Sequence, residues 1–304
     1  MPNRNDKKYL PEAINSVLNQ KIKVDEFLII DDFSNDSSVA IIKENIKDTA
    51  YARLIENKIN LGVMEVLNQG LGAITSDYVL FLASNDFIHE NFTNEVHQAI
   101  AEKSFKEVGI ISGLSKKTDK FGNDRINYSI LIRLSVSYLE PCECSKILNK
   151  VGPWFMGNSM LFNVKKLRQI DGFNVQYKGL ADLYSACILA ENNGALFIPK
   201  TLGSIRQHED GYLQNTLKNT DEIIQKMSIE IEKQGIKNIV SSDMRIFQFK
   251  KLIKFNSERN TILLSGNKKI ICNVKILHSL IKNYGFKLIY HFYYRKIKWL
   301  LLKY

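Results

Sequence analysis

The sequence predicts an α/β fold, in which a mainly parallel sheet is flanked by helices and followed by a helical tail. Apolar runs typical of buried strands alternate with segments of helical periodicity as far as residue 111, and the connections are short. This alternation indicates right-handed βαβ units, whose strands are parallel. Acidic or amide side chains directly follow two of the apolar runs, at the edge of the sheet where such folds bind ligands.

The first helix and the first buried strand have the clearest patterns. Apolar residues at helical spacing predict a helix over residues 7–20. The apolar run over residues 26–32 ends in Asp31 and Asp32, as expected of a buried strand at its carboxyl end. The same reasoning predicts further helices over 39–46, 63–73 and 90–102, and further strands over 53–56, 77–83 and 108–111.

The pattern is weaker in the second half of the chain. Residues 113–150 show few clear signals, and we interpret them as a mobile or an acceptor-side segment. Beyond them the sequence predicts strands over 160–164 and 195–198, helices over 165–170 and 183–192, and a helical segment from about residue 219. We therefore expect two regions, a domain over residues 1–215 and a helical basic region over residues 216–304.

Composition indicates a folded domain in a reducing compartment. Of 304 residues, 45% are hydrophobic and 24% charged, which suits a large buried core and excludes wholesale disorder. The four cysteines form no disulfide framework. Cys142 and Cys144 could contribute to a zinc site, but reduced thiols are the simpler interpretation. Because the sequence shows neither a secretory leader nor an apolar membrane span, we expect the domain to face the cytoplasm.

The positive charge is concentrated at the end of the chain. The formal net charge is +10, and residues 265–304 contain nine Lys or Arg and no acid, so the rest is close to neutral. Aromatic residues mixed with Lys and Arg are typical of a helix lying at a membrane surface, which predicts a peripheral position at the inner face of the membrane. The alternatives are a packed helix with a solvated basic face and, without a supporting motif, nucleic-acid binding, which we do not expect.

Several motifs follow one another in a fixed order. They are residues 9–20, residues 27–36, Asn60 to Gly62 with Asn68 to Gly70, residues 80–86, Trp154 to Phe162, Gly172 with Phe173, Ala181 with Asp182, and His208. Together they resemble the family 2 glycosyltransferases of the GT-A fold, over roughly residues 7–212. The resemblance implies a Rossmann-like domain that transfers a sugar, with inversion, from a nucleotide-diphosphate donor to a saccharide or lipid-linked acceptor, in cell-surface polysaccharide synthesis.

The resemblance also implies which residues bind the donor, a UDP-sugar. Asp32 corresponds to the residue that accepts a hydrogen bond from the base, and Asp31 before it supports the ribose side. Further nucleotide-binding residues implied by the motifs are Asn60, Gly62, Asn68 and Asn85. An aspartate after a strand can instead cap the next helix, and Asp36 fits that alternative better.

A divalent cation, Mn²⁺ or Mg²⁺, is implied as the cofactor that bridges the donor phosphates. Asp86 is its candidate ligand, since these ions prefer oxygen ligands. Asn85 stands where the family often has an acid, which lowers the negative charge of the site. His208 matches a position that reaches the metal or the diphosphate, and Arg206 could contact phosphate.

Asp182 matches the catalytic base of the family, which takes a proton from the acceptor hydroxyl. The family usually has Glu and Asp here, whereas this chain has Ala181 before Asp182. Asp182 could alternatively be the N-cap of a helix that starts at Leu183. Trp154 and Asn158 match the acceptor-facing loop.

One departure from the family pattern concerns the first strand, which normally precedes the turn at which this chain starts. We expect that strand to be missing, which would expose strand edges and reduce core burial. Together with Asn85 and Ala181, this supports an alternative: a catalytically degenerate homologue that binds nucleotide or partners without turnover.

Overall fold

The computed structural model describes residues 1–102, 107–119, 124–127, 131–151, 153–206 and 223. The α-helices are α1 (Leu10–Leu18), α2 (Ser38–Ile46), α3 (Val63–Ala73), α4 (Phe92–Glu102), α5 (Pro141–Val151), α6 (Val164–Gln169) and α7 (Ala181–Asn193). The strands are β1 (Pro2–Asn3), β2 (Phe27–Asp31), β3 (Ala52–Glu56), β4 (Tyr78–Leu80), β5 (Phe87–Ile88), β6 (Ile110–Thr118), β7 (Asp124–Asn127), β8 (Ser137–Leu139), β9 (Met160–Asn163) and β10 (Ala195–Arg206). Two 3-10 helices, Gly157–Ser159 and Val175–Leu180, precede β9 and α7.

The N-terminal sheet is parallel, with the strand order β1-β2-β3. Its first strand corrects the expectation that this strand is missing. Pro2 pairs with Ile30 and Asn3 with Asp31, and the main-chain N–H of Ile30 donates to Met1 at 2.9 Å. Residues 2 and 3 therefore pair with the carboxyl end of β2, next to the site.

The second sheet has seven strands in the order β4-β9-β6-β10-β5, with β7 paired to β6 and β8 to β10. The two long strands, β6 and β10, are parallel, and the other pairs are antiparallel. The α/β class is thus confirmed, with parallel pairing in the N-terminal sheet and at the centre of the second.

Alternate residues of β2, β6 and β10 face opposite sides of the sheets, and both sides are buried. Ile29, Ile111 and Leu196 pack with α1, α2 and α4 in one apolar cluster. Their neighbours Ile30, Ile110 and Phe197 pack with α3, α5, α6 and α7 in the other. This arrangement explains why these strands are nearly continuous apolar runs, and it leaves their carboxyl ends as the polar edge of the fold.

The described part of residues 113–150 contains regular elements that the sequence did not predict. β6 continues to Thr118, and β8 and α5 follow. Sequence reasoning missed the extension of β6 because its buried residues include Ser112, Ser115 and Thr118, which interrupt the apolar pattern. Hydrogen bonds within the fold compensate the burial of these hydroxyl groups.

The predicted second region, residues 216–304, lies outside the described residues except for Ile223, which is buried against the larger apolar cluster. The division at residue 215 and the basic tail therefore remain predictions. In the part of the chain that the structure describes, no helix combines the length and the apolar character needed to cross a membrane.

Candidate active site

Asp31 ends β2 and builds the turn that follows it. Its side chain is buried, and Oδ2 accepts hydrogen bonds from the Asn3 amide and the Ser34 hydroxyl, both at 2.6 Å. Oδ1 accepts from the main-chain N–H of Ser34 at 2.9 Å. Both oxygens thus accept hydrogen bonds within the protein, and Asp31 orders the turn. Its predicted role on the ribose side stays a prediction.

Asp32 brings the Asn60 to Gly62 segment to the end of β2, as the motifs imply. Oδ1 accepts hydrogen bonds from the main-chain N–H of Leu61 at 2.9 Å and from the Asn57 amide at 3.0 Å. Oδ2 accepts from the N–H of Gly62 at 2.8 Å. Gly62 has φ +87°, a conformation that favours glycine, and the Asn60 side chain also accepts from its N–H. Two predicted nucleotide-binding segments therefore meet at one carboxylate.

Large apolar side chains are exposed on the two segments that meet at Asp32. Phe33 is 56% exposed and has φ +63°, Ile59 is 64% exposed, and Leu61 is 41% exposed. A bulky residue in this left-handed conformation is strained, and such strain is concentrated at functional sites. Sequence reasoning missed these residues, although apolar residues inside polar turns were a visible signal. They supply apolar surface beside the Asp32 carboxylate, which suits a flat base.

The side chain of Asn68, a predicted nucleotide-binding residue, forms hydrogen bonds within the protein. Its side chain donates to the carbonyl of Phe173 at 2.8 Å and accepts from the N–H of Phe173 at 2.9 Å. Gly172 is in contact with the same amide, since a Cβ there would lie 2.6 Å from Asn68 Oδ1. With its amide used in this way, Asn68 ties α3 to the segment that leads to Asp182. Its role in nucleotide binding stays a prediction.

Asp86 lies between β4 and β5 and is partly buried. Oδ1 accepts a hydrogen bond from the main-chain N–H of Arg206 at 2.8 Å, whereas Oδ2 has no hydrogen-bond partner among the described residues. Burial raises the pKa of Asp86 to about 7, although the N–H and the charge of Arg206 oppose the rise, and the nearby Asp6 adds to it. A desolvated carboxylate with one open oxygen fits a divalent cation, which would supply the missing positive charge.

Only some of the other residues predicted near the metal lie among the described residues. Asn85 precedes Asp86, and its carbonyl oxygen accepts a hydrogen bond from Arg206 Nε at 2.9 Å. His208 lies outside the described residues. Within the described residues, no three His, Cys, Asp or Glu side chains come together as a metal site. Cys142 and Cys144 therefore belong to no such group there. Asp86 and Asn85 are therefore the described candidates for holding the ion.

Arg206, considered from the sequence as a phosphate contact, has its side chain engaged within the protein. It is 5% exposed, and one guanidinium nitrogen donates to Glu12 at 2.5 Å. The guanidinium carbon lies 4.7 Å from the ring centre of Tyr9 and 5.7 Å from that of Phe87. The sequence did not indicate the contacts of Glu12 and Tyr9 with Arg206, because both residues lie 194 or more positions before it in the chain.

Asp182 lies in the first turn of α7, which begins at Ala181. The alternative that Asp182 caps a helix starting at Leu183 is therefore wrong; Leu180 is the N-cap, and its side chain makes no capping bond. Oδ1 accepts from the N–H of Leu183 at 2.7 Å. Burial nevertheless raises the pKa of Asp182 to about 6, against the effect of backbone hydrogen bonds. Such a carboxylate is ionised near neutral pH yet basic enough to accept a proton.

The two predicted acceptor residues, Trp154 and Asn158, are buried. Trp154 is 0% exposed and donates its indole N–H to the Ser112 hydroxyl at 3.1 Å, so it is a core residue and not a stacking surface for a sugar. Asn158 accepts a hydrogen bond from the Ser115 hydroxyl at 2.6 Å, while its buried Nδ2 has no partner in the described structure. In this structure neither side chain is open to an acceptor.

The 3-10 helix Gly157–Ser159 connects the candidate base to the candidate metal loop. A Cβ on Gly157 would lie 3.6 Å from Asp182 Oδ2. On the other side, a Cβ on Gly203 would lie 2.6 Å from the carbonyl oxygen of Asn158 and 3.2 Å from that of Phe87, the residue after Asp86. Asp182 and Phe87, the residue after Asp86, thus both lie near this short helical turn or the strand beside it.

Comparison with known proteins shows the family and the fold. The profile of glycosyl transferase family 2 matches residues 1–162, more than half of the chain. TarP of Staphylococcus aureus, a poly(ribitol-phosphate) beta-N-acetylglucosaminyltransferase, is 35% identical over 101 residues, which are 32% of this chain and 30% of TarP. The chain spans only 43% and 35% of two further curated relatives, both glycosyltransferases of Haemophilus influenzae.

Two solved structures share the fold. S. aureus TarS 1-349, in complex with UDP-GlcNAc, superposes with a TM-score of 0.60 at 18% identity, over 76% of this chain and 64% of that chain. The mannosyltransferase PcManGT of Pyrobaculum calidifontis, in complex with GDP-Man and Mn²⁺, superposes with a TM-score of 0.56 at 14% identity, over 92% and 78% of the two chains. With its fold, its ordered strand-end carboxylates and its matching profile, the chain belongs to glycosyl transferase family 2.

Proposed function

We propose that this chain transfers a sugar from a nucleotide-diphosphate donor to a saccharide or lipid-linked acceptor, with inversion at the anomeric carbon. The observation that carries the proposal is the partly buried Asp182 carboxylate, whose pKa is raised to about 6 by burial. It lies next to the Gly157 to Ser159 turn, and Gly203 brings that turn close to Phe87, the residue after Asp86. A base and a candidate cation ligand therefore flank a common region of the fold.

In this proposal Asp182 performs general base catalysis. The carboxylate takes the proton of the acceptor hydroxyl while the hydroxyl oxygen forms its bond to the anomeric carbon. The bond between that carbon and the donor phosphate oxygen breaks in the same displacement, and the nucleotide diphosphate leaves with the electron pair. One displacement on the face opposite the leaving group inverts the configuration.

A divalent cation, Mn²⁺ or Mg²⁺, is the proposed cofactor. Asp86 would hold it through its open oxygen, with Asn85 and His208 as further proposed ligands. When bound, the cation neutralises charge on the departing diphosphate. The raised pKa of Asp86 and the oxygen chemistry of the pair support this assignment. The presence of Mn²⁺ with PcManGT, which shares the fold, is consistent with it.

The proposed donor is a UDP-hexose or a UDP-N-acetylhexosamine, whose base would lie at Asp32. The carboxylate can accept the imide N–H of uracil, and Phe33 and Leu61 offer apolar surface beside it. The complex of TarS with UDP-GlcNAc supports a UDP donor by analogy of fold. A degenerate homologue would bind the nucleotide and not hydrolyse or transfer the sugar, so donor hydrolysis with Mn²⁺ tests the enzymatic proposal directly.

Asp32→Asn is expected to weaken UDP binding by about 10-fold, because an amide that also carries N–H groups cannot reproduce a charged acceptor, a loss of about 1–2 kcal/mol. Isothermal titration with UDP and with GDP measures the effect. Asn57→Ala removes one bond to Asp32 and keeps the carboxylate, so it separates loop anchoring from base contact, and Asp48→Asn is an exposed control. Unchanged UDP affinity in Asp32→Asn would contradict the base assignment.

The acceptor and the location of the enzyme are also proposed. We place the reaction at the inner face of the membrane, in the assembly of a cell-surface polysaccharide. The nine basic residues and the absence of acids over residues 265–304 support a membrane-surface role for the tail. We expect the full chain to sediment with vesicles that contain phosphatidylserine, and a chain ending at residue 264 to stay in solution. Equal sedimentation of the two chains would refute the role of the tail.

A further inference from the structure

Arg206 contacts both members of the candidate metal pair. It is the last residue of β10, and its main-chain N–H donates to Asp86 Oδ1 at 2.8 Å. Its Nε donates to the carbonyl oxygen of Asn85 at 2.9 Å. One residue thus restrains the side chain of Asp86 and the main chain of Asn85. The orientation of the Asp86 carboxylate and the position of the Asn85 main chain therefore depend on where Arg206 lies.

Arg206 is itself held from α1. Its guanidinium donates to Glu12 at 2.5 Å, and it lies over the Tyr9 ring at 4.7 Å. The Arg206 side chain is 2% exposed and the Glu12 side chain 51% exposed. A buried guanidinium without a counter-charge is strongly unfavourable, and Glu12 supplies a carboxylate that pairs with it. The contact spans 194 residues of sequence.

We propose that Glu12 and Arg206 are positioning residues for the divalent cation: they preorganise the oxygens of Asn85 and Asp86 without binding the ion. The inference rests on the metal part of the proposed function and deepens it. Groups that orient metal ligands change metal affinity when they are altered, although the ligands themselves remain. Glu12 has a second effect, because its charge cancels the Arg206 charge next to the ion.

The loss of either partner therefore has a defined consequence. In Arg206→Lys the main-chain bond to Asp86 can remain, but an ammonium cannot reproduce the fork that reaches Asn85 and Glu12 together. In Glu12→Gln the guanidinium keeps a neutral acceptor and loses its counter-charge. In both variants the ligand oxygens are present but less well oriented, so the defect is one of affinity, which a high concentration of the ion overcomes.

The experiment measures Mn²⁺ binding to the full chain by the decrease of the free-ion electron paramagnetic resonance signal, with UDP present and without it. The apparent Kd for Mn²⁺ is expected to rise about 10-fold in Glu12→Gln and about 10- to 100-fold in Arg206→Lys, the range seen when groups that support metal ligands are altered. Donor hydrolysis at saturating Mn²⁺ is expected to return to within about threefold of wild type, because an affinity defect is removed by mass action.

Lys200→Gln is the matched control. Lys200 lies on the same strand as Arg206 and pairs with Glu95 at the same 2.5 Å, but its side chain is 52% exposed. Lys200→Gln removes an ion pair from the same strand and is expected to leave the Mn²⁺ affinity unchanged. Urea unfolding of each variant shows whether it is folded; Glu12→Gln changes a half-exposed side chain and is expected to fold.

Two results would overturn the inference. Mn²⁺ affinities of Glu12→Gln and Arg206→Lys within twofold of wild type would contradict the positioning role and leave the proposed function unaffected. A lower rate at saturating Mn²⁺ with unchanged affinity would do the same, since it indicates a catalytic and not a positioning effect. If the wild-type chain binds UDP but no Mn²⁺, the metal part of the proposed function falls as well.

Discussion

Asp182→Asn is expected to lower donor hydrolysis and sugar transfer by about 10²- to 10⁴-fold, the contribution typical of a general base. Asn has the same shape and can still accept the hydrogen bond from Leu183, so the start of α7 is preserved. Only the ability to take a proton is lost. Asp171→Asn, which changes an exposed aspartate just before this segment, is the matched control and should retain full activity.

The pH dependence of the wild type follows from the same carboxyl group. Because its folded pKa is about 6, activity is expected to fall as the pH drops through about 6, where the base becomes protonated. The folded pKa exceeds the ordinary value of 3.8. Below pH 3.8 the carboxyl group is protonated in both states, and its burial costs least there. As the pH rises through 6 the group ionises in the folded state, so the folded protein becomes less stable relative to the unfolded one.

Asp182→Asn should accordingly be more stable than the wild type at pH 7.5, by about 1–3 kcal/mol, because the buried charge is gone. The gain should vanish at pH 4, where the wild-type carboxyl is protonated. Urea unfolding at the two pH values, together with a pH profile of kcat/KM, checks both parts. Wild-type activity in Asp182→Asn would rule out the assignment of the base, whatever its stability.

Asp86→Asn is expected to abolish tight Mn²⁺ binding and to reduce donor hydrolysis by about 10³-fold, which corresponds to several kcal/mol of charge stabilisation at the leaving group. The amide oxygen of Asn can still accept the hydrogen bond from the N–H of Arg206, so the substitution removes the charge and largely preserves the loop. The free-ion Mn²⁺ signal and the rate of hydrolysis as a function of Mn²⁺ concentration measure the two effects.

The control for Asp86→Asn is Asp77→Asn, an exposed aspartate immediately before β4, at the opposite end of the strand from the metal loop. It changes the net charge equally and is expected to leave Mn²⁺ binding unchanged. If Asp86→Asn retains the wild-type Mn²⁺ affinity, Asp86 is not a metal ligand. The ligands would then have to be sought among the residues beyond Arg206.

Local patterns predicted the N-terminal half well, because each of its elements has its own periodicity. The predicted helix over 63–73 coincides with α3, and that over 39–46 differs from α2 by one residue. The predicted strand over 53–56 differs equally little from β3. In these segments the apolar residues face a neighbouring layer, so the spacing of apolar residues in the sequence matches the pattern of buried residues in the structure.

Prediction failed where long-range burial overrides local pattern. β6 buries hydroxyl groups that find partners across the sheet, and its extension was not predicted. Trp154 was assigned to the acceptor by its motif, but it fills the core and donates to Ser112. The hydrogen bond between Asn68 and the main chain of Phe173 was likewise not predicted. In each case the partner lies far away in sequence, where no periodicity indicates it.

The sequence by itself determined the α/β class, the family and the carboxylates that carry the proposed chemistry, since Asp32, Asp86 and Asp182 occur in an ordered set of motifs. The tertiary structure alone decided how these groups are held. It showed the two-residue first strand, the link between Glu12 and Arg206, and the burial that raises the pKa of Asp182 to about 6. Motif and periodicity are local properties of the chain, whereas desolvation and ion pairing depend on which distant segments pack together.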